Sequence, residues 1–314
     1  MLTFRSPAEV PAGFGPSAVT IGKFDGVHVG HRAVISRLLE RAREQHLAAA
    51  VVTFDRNPLS LLRPELCPDA LVSNAQKLEN LAATGIDATL MLTFDRALSE
   101  QTPEQFVREV LVDALHARVV LVGHDFRFGA RGAGDLALLE RLGAELGFGV
   151  EMISDITPDG ARRVSSTWIR ELLGEGRVRE ATDLLGAPPA IRSVVVHGEQ
   201  RGRTLGFPTA NLAQEIEGYV PADGVYAAWM TVGGERYPAA VSIGNNPTFE
   251  GVLTRQVEAH AIDAQLDIYG EPIELAFVEY VRGMHKFEGA DALARQMAAD
   301  EARIREILGV PPRV

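Results

Sequence analysis

The sequence predicts an α/β domain built on a parallel sheet, followed by a small antiparallel β-barrel with a C-terminal helix. Three observations carry this. Up to about Leu185, short β-branched runs alternate with amphipathic helical stretches. Gly186-Ala187-Pro188-Pro189 then breaks the alternation. Beyond it, strand-like runs separated by Gly, Pro and Asn continue until one last helical stretch. At 314 residues the chain exceeds the roughly 100–200 residues of a single domain, so domains over 1–187 and 188–314 are expected, each with its own core.

In the first half the strands fall at Ala18–Ile21, Ala48–Phe54, Ala88–Leu92, Val119–Gly123 and Val150–Ile153. Helical periodicity places helices between them at His31–Gln45, Asn74–Ala83, Pro103–Leu115 and Asp135–Leu146. Thr102-Pro103-Glu104-Gln105 marks one start: Thr at the N-cap, Pro at the first helical position and Gln three residues after the cap. A further helix is expected at Trp168–Leu173. Strands of the second half are expected at Ile191–Val196, Val225–Thr231, Ala239–Ile243, Gln256–Ile262 and Ile273–Val281. The terminal helix, Ala290–Leu308, puts Leu293, Met297, Ile304 and Leu308 on one stripe that suits docking on the barrel.

Composition excludes several function classes. Lys+Arg is 31 against Asp+Glu 42, a net charge of −11, and no basic block offers a footprint for a nucleic-acid backbone. Small anionic ligands remain allowed, because glycine loops and helix N-termini bind phosphate locally. Cys67 is the one cysteine, so neither an intrachain disulfide nor a multi-cysteine metal site can form. Residues Met1 to Gly15 lack the signal-peptide pattern and no run approaches a membrane span, so no membrane partner and a cytoplasmic location are expected. Self-association is neither required nor excluded.

The first chemical constellation is His28-Val29-Gly30-His31, which follows the strand ending at Ile21-Gly22 and the segment Lys23-Phe24-Asp25-Gly26. At a spacing of three, both imidazoles can lie on one side of a helix's first turn, where unpaired N–H groups carry about half a positive charge. Gly30 removes a side chain from the approach to that turn. Two imidazoles and N–H donors can stabilise a phosphoryl group in transfer. Two later segments add to the site. Asp125-Phe126-Arg127-Phe128-Gly129 follows a strand, and Arg163-Val164-Ser165-Ser166-Thr167 precedes a helix. Taken singly, Phe126 and Phe128 read as core, and Ser165 to Thr167 as a helix cap. Taken together, three such loops in one α/β domain favour a nucleotide site. The sequence has no G-x-x-x-x-G-K-[ST] loop, and Gly13-Phe14-Gly15-Pro16 lies before the first strand, so neither a Walker-type ATPase nor an ordinary dehydrogenase fits.

The second constellation runs from Gly198 to Asn211 and includes Gly202, Arg203 and Gly206 before Phe207-Pro208-Thr209-Ala210-Asn211. Its glycines allow backbone amides to wrap a polyphosphate, and Thr209 and Asn211 offer neutral oxygens to Mg²⁺. In the predicted strand Gln256–Ile262, Glu258 and His260 share a face. Glu258 could accept the proton of an attacking hydroxyl. Spacing alone, however, favours an exposed barrel residue there.

The combination resembles the bacterial bifunctional riboflavin kinase/FAD synthetase family, from about Ala18 to Leu308. The matching segments are Ile21 to His31, Asp125 to Gly129, Arg163 to Thr167, Gly202 to Asn211, Pro221 to Tyr226, Ile243 to Phe249, Val257 to His260 and Asp267 to Gly270. The resemblance implies a Rossmann-like nucleotidyltransferase domain that adenylylates FMN to FAD and a barrel that phosphorylates riboflavin to FMN, both using ATP, with Mg²⁺. His28, His31 and Glu258 would be catalytic, the last moved there by the resemblance alone. Gly22, Phe24, Asp25, Gly30, Asp125, Phe126, Phe128, Arg163, Ser166 and Thr167 would contact ligands in the first domain. Gly202, Arg203, Gly206, Pro208, Asn246 and Arg282 would do so in the second, with Thr209 and Asn211 at the metal. One departure stands out: the family usually follows its second strand with an acidic residue and Pro-His-Pro, whereas this chain has Asp55-Arg56-Asn57-Pro58. Arg56 is a candidate substitute phosphate donor.

Overall fold

In the computed structural model, residues 1–153, 157, 162–197, 207–244 and 255–311 are described, and they form two compact units, Met1–Ser165 and Ser166–Val314. The first unit runs β1 (Leu2–Phe4), β2 (Ser17–Ile21), α1 (Val29–Glu44), β3 (Ala48–Phe54), α2 (Leu59–Leu62), α3 (Asn74–Ala82), β4 (Ala88–Leu92), α4 (Arg96–Glu100), α5 (Pro103–Phe106), β5 (Ala117–Gly123), α6 (Leu136–Leu146) and β6 (Gly149–Ile153). Its six strands form one parallel sheet in the order β1-β4-β3-β2-β5-β6. All five residues of β2 are buried, as a central strand covered on both faces requires. One face packs Val19, Ile21, Val52 and Val120 against Phe106, Leu111 and Leu139. The other packs Ala18, Val51 and Leu121 against Ile35 and Leu38 of α1 and Leu81 of α3.

The sheet order fixes where a ligand can bind. After β2 the chain builds β3 and β4 on one side and then returns to lay β5 on the other, so the loops leaving β2 and β5 diverge from adjacent, parallel strand ends. A crevice outside such a switch point is the general ligand site of open α/β sheets.

The start expected at Thr102 is present as a reciprocal capping box between Thr102 and Gln105. After α5, however, the helix widens into π-helical turns over Val107–Ala114, with Leu115 N–H donating to Val110 O at 3.2 Å. α1 begins at Val29, two residues before the expected start, and β1 adds an edge strand that was not expected.

The second unit opens with α7 (Ser166–Gly174) and α8 (Val178–Leu185), the latter not expected from sequence. It continues with β7 (Ala190–Val196), β8 (Ala210–Leu212), β9 (Gly224–Val232), β10 (Glu235–Gly244), β11 (Gln256–Ala261), β12 (Pro272–Arg282) and α9 (Ala290–Leu308). The strands close an antiparallel barrel in the order β10-β11-β8-β7-β12-β9. Ile304 of α9 is fully buried against Ala227 and Ile262.

An ion pair fastens α9 to β12. Arg282 donates from Nε to both Asp300 oxygens at 2.9 Å and from Nη2 to Oδ2 at 2.7 Å, with the carboxylate only 7% exposed. Asp300→Ala leaves that guanidinium half-buried and uncompensated, and is expected to cost about 3–5 kcal/mol. Chemical denaturation of the variant beside wild type measures it.

Candidate active sites

His28 is the N-cap of α1, and its Nδ1 accepts the backbone N–H of His31 at 3.3 Å. That bond places the proton of a neutral His28 on Nε2, leaving an N–H donor on the far side of the ring. The His28 and His31 rings stack with centroids 3.7 Å apart and planes 15° apart, and Phe24 leans on His31 at 5.0 Å. A Cβ at Gly30 would come within 3.2 Å of His28 Cε1 and Nδ1, so this glycine makes room for the His28 ring itself. Likewise, a Cβ at Gly22 would stand 3.1 Å from the Phe24 ring. The turn that delivers His28 is strained: Phe24 and the β-branched Val27 have φ of 49° and 42°.

Burial holds both imidazoles neutral. It is the main cause that lowers His28 from the ordinary 6.5 to about 4, with the nearby Arg163 charge second. His31 is held well below 6.5, by burial first and then by His28, Arg163, Lys23 and Lys77. Its buried Nδ1 has no partner among the described residues. Below pH 6.5 the unfolded chain takes up a proton at His28 that the folded chain refuses until about pH 4. Stability therefore falls as pH drops through that window, by on the order of 3 kcal/mol from this group, and is independent of it above pH 6.5. A His28→Gln variant is expected to show a shallower loss of unfolding free energy between pH 6.5 and 4, measured by denaturant titration at each pH.

The loop after β5 supplies Asp125, whose Oδ2 accepts from Arg163 Nη1 at 2.8 Å; this bond is the leading reason its carboxyl lies below the usual range. Phe126 stacks on Phe128 at 5.3 Å. Phe128 itself is buried against Phe106 and exchanges backbone hydrogen bonds with Gly134, so it anchors the loop from the core side. Asn57 Oδ1 accepts from Leu59 N–H at 3.1 Å, capping α2, and the exposed Arg56 pairs with Asp55 at 3.2 Å. Ser166 and Thr167 open α7 in the second unit.

In the barrel, β8 and β11 pair so that Asn211 and Glu258 are directly opposite, with Ser242 of β10 on the other side of Glu258. Glu258 and Asn211 are both half-buried. Asn211 also lines a cleft of about 340 Å³ with Val196, His197, Gln214, Glu215 and Gln256. His197 stacks on Tyr269 at 3.9 Å. His260, for which sequence reasoning has no role, is buried, and its Nδ1 lies 2.8 Å from Pro208 O. A carbonyl only accepts, so Nδ1 carries the proton. With Phe207 edge-on at 5.5 Å, His260 thus fixes the segment that leads into Thr209. Arg282 spends its guanidinium on Asp300. Gly202, Arg203, Gly206 and Asn246 lie outside the described residues.

Among the described residues no three His, Cys, Asp or Glu side chains gather into a metal cage. Thr209 and Asn211 provide hard, neutral oxygens, a donor set that fits Mg²⁺ when phosphate and water complete its shell.

Comparison with known proteins agrees with this division. A family model described as FAD synthetase matches residues 12–168, and one described as riboflavin kinase matches residues 185–308. The chain is 39% identical over 295 residues to the bifunctional riboflavin kinase/FMN adenylyltransferase of Escherichia coli K12, covering 93% of each. It is 37% identical to that of Listeria monocytogenes, covering 91% of each. Among solved structures, one titled a macrolide-efflux protein from Streptococcus pneumoniae matches with a TM-score of 0.86 at 31% identity, over 97% of this chain and 98% of that one. No helix among the described residues of the present chain is long and apolar enough to cross a membrane.

Proposed function

Because the chain belongs to the bifunctional riboflavin kinase/FMN adenylyltransferase family, we propose residue roles for its two reactions. The riboflavin kinase half transfers the γ-phosphoryl group of ATP to riboflavin, giving FMN. The FAD synthetase half transfers AMP from ATP to FMN, giving FAD and pyrophosphate. We place the boundary of the two catalytic domains at 187/188.

For adenylylation, a phosphate oxygen of FMN attacks the α-phosphorus of ATP, and the bond to the β-phosphate oxygen breaks. Charge grows on the oxygens around the α-phosphorus. Neutral imidazoles answer that charge as N–H donors without having to lose a proton first, and His28 presents Nε2–H in that role. Arg163 holds phosphate oxygens, and Asp125 keeps its guanidinium oriented until they arrive. Gly22, Phe24, Asp25 and Gly30 shape the floor of the site. Phe126 offers a ring edge, and Ser166 and Thr167 offer hydroxyls to phosphate. The observation that carries this reading is the adjacency of the β2 and β5 ends, which sets the His28 turn beside the Asp125 loop.

For phosphorylation, Glu258 takes the proton of the riboflavin hydroxyl as its oxygen attacks the γ-phosphorus. Thr209 and Asn211 would hold Mg²⁺, which when bound neutralises phosphate charge. Gly202, Arg203, Gly206, Pro208 and Asn246 serve the nucleotide and flavin. The pairing of Asn211 with Glu258 across two strands supports this assignment. A cytoplasmic setting, where ATP is supplied, belongs to the same proposal.

The test is to incubate the purified chain with riboflavin, ATP and Mg²⁺ and separate the flavins by chromatography. FMN appearing first and FAD after it is expected. No FMN would overturn the roles assigned in the barrel, and FMN without FAD those assigned around His28.

A further inference from the structure

Helix α3 lies outside every motif above, yet it holds a buried cation at the edge of the adenylylation site. Lys77 is only 6% exposed, and its Nζ donates to Phe54 O at 2.9 Å. One turn earlier, Asn74 Nδ2 donates to Asp55 O at 2.8 Å. Two side chains on one face of α3 thus grip consecutive carbonyls at the C-terminal end of β3. The helix start is itself pinned by a reciprocal capping box between Ser73 and Gln76.

From there the connections run to the catalytic turn. Leu71 N–H, just before α3, donates to Asp25 Oδ1 at 2.9 Å, and Thr53 Oγ1 of β3 donates to Lys23 O at 3.0 Å. Lys23 and Asp25 flank Phe24 and lie on the turn whose left-handed Phe24 and Val27 deliver His28. Such backbone conformations persist only where the surroundings over-determine them. The carboxylates of Asp25 and Asp55 favour the Lys77 charge, while burial opposes it and lowers its pKa. A methionine would fill the same space but would remove both the donor to Phe54 O and the cation that the two carboxylates favour, so the bond and the charge are what the β3 end would lose.

We propose that Lys77 and Asn74 are positioning residues for adenylyl transfer, bracing the β3 end so that the Phe24–Val27 turn holds His28 against His31. The proposal rests on the imidazole roles given above. Lys77 touches no reacting atom, so its loss acts on the geometry of the transition state and not on ligand affinity.

The experiment compares Lys77→Met, Asn74→Ala and His31→Ala in the full chain, measuring kcat and KM for FMN to FAD, with riboflavin phosphorylation as an internal standard. For Lys77→Met, kcat is expected to fall at least about tenfold while KM for ATP and FMN stays within about threefold. Asn74→Ala should show a smaller fall with the same split, and it decides the matter if Lys77→Met does not fold. A wild-type kcat in these variants, or a raised KM with kcat kept, would overturn the proposal. If His31→Ala keeps wild-type FAD synthesis, the imidazole roles fail instead.

Discussion

His31→Ala is expected to lower kcat for FAD formation from FMN by about 10²–10³, the usual cost of deleting one preorganised donor from a site of developing charge. The alanine removes the ring that stacks on His28 at 3.7 Å, so His28 also loses the support that fixes its plane. Both effects fall on the transition state, and KM for ATP should change far less than kcat. Riboflavin phosphorylation should be untouched, because none of its assigned residues lies in the sheet domain. Steady-state assays of each half-reaction, with each substrate supplied separately, measure this.

Glu258→Ala is expected to do the reverse. Loss of a general base costs about 10²–10⁴ in rate, so FMN formation should all but stop while supplied FMN is still converted to FAD. Glu258→Gln keeps the shape of the side chain and should be nearly as slow, because an amide cannot take the hydroxyl's proton. A Gln variant with wild-type kinase rate would remove Glu258 from the base role while leaving the barrel assignment standing.

The parts of the fold legible in the sequence were those with a period or a cap. β2 to β6 and α6 announce themselves by apolar runs; α6 spans Leu136–Leu146 within the expected Asp135–Leu146, with Asp135 as its N-cap and an αL Gly147 at its end. β1 and β8 were missed because three residues cannot show alternation; only their sheet partners, β4 for β1 and β11 and β7 for β8, make them strands. The π-helical stretch after α5 was hidden for a related reason, since its apolar residues satisfy a helical pattern whichever carbonyl accepts.

Legibility of the site followed the same division. His28 and His31 were readable because their chemistry and their spacing of three are both local. That His28 is the cap itself, with Gly30 clearing space for its ring, depends on where α1 starts, a boundary the pattern left two residues late. Lys77 and Asn74 carry no local signal at all: they sit in an ordinary amphipathic helix, and their partners lie 23 and 19 residues away at the end of β3. His260 stood beside Glu258 in the predicted strand, but its bond to Pro208 spans 52 residues. Asn57 differs again, since its Asx-type cap of α2 gives the residue a structural use that an imidazole's departure leaves open.

The proposed residue roles require two independent sites in one chain, one organised by His28 and His31 and the other by Asn211 and Glu258. Mixing the His31→Ala and Glu258→Ala chains with riboflavin, ATP and Mg²⁺ tests that independence. Neither variant alone should form FAD from riboflavin, and the mixture should, because FMN released by the first is taken up by the second. A mixture that forms FMN but no FAD while the wild type forms both, or a single variant that completes the sequence unaided, would contradict it.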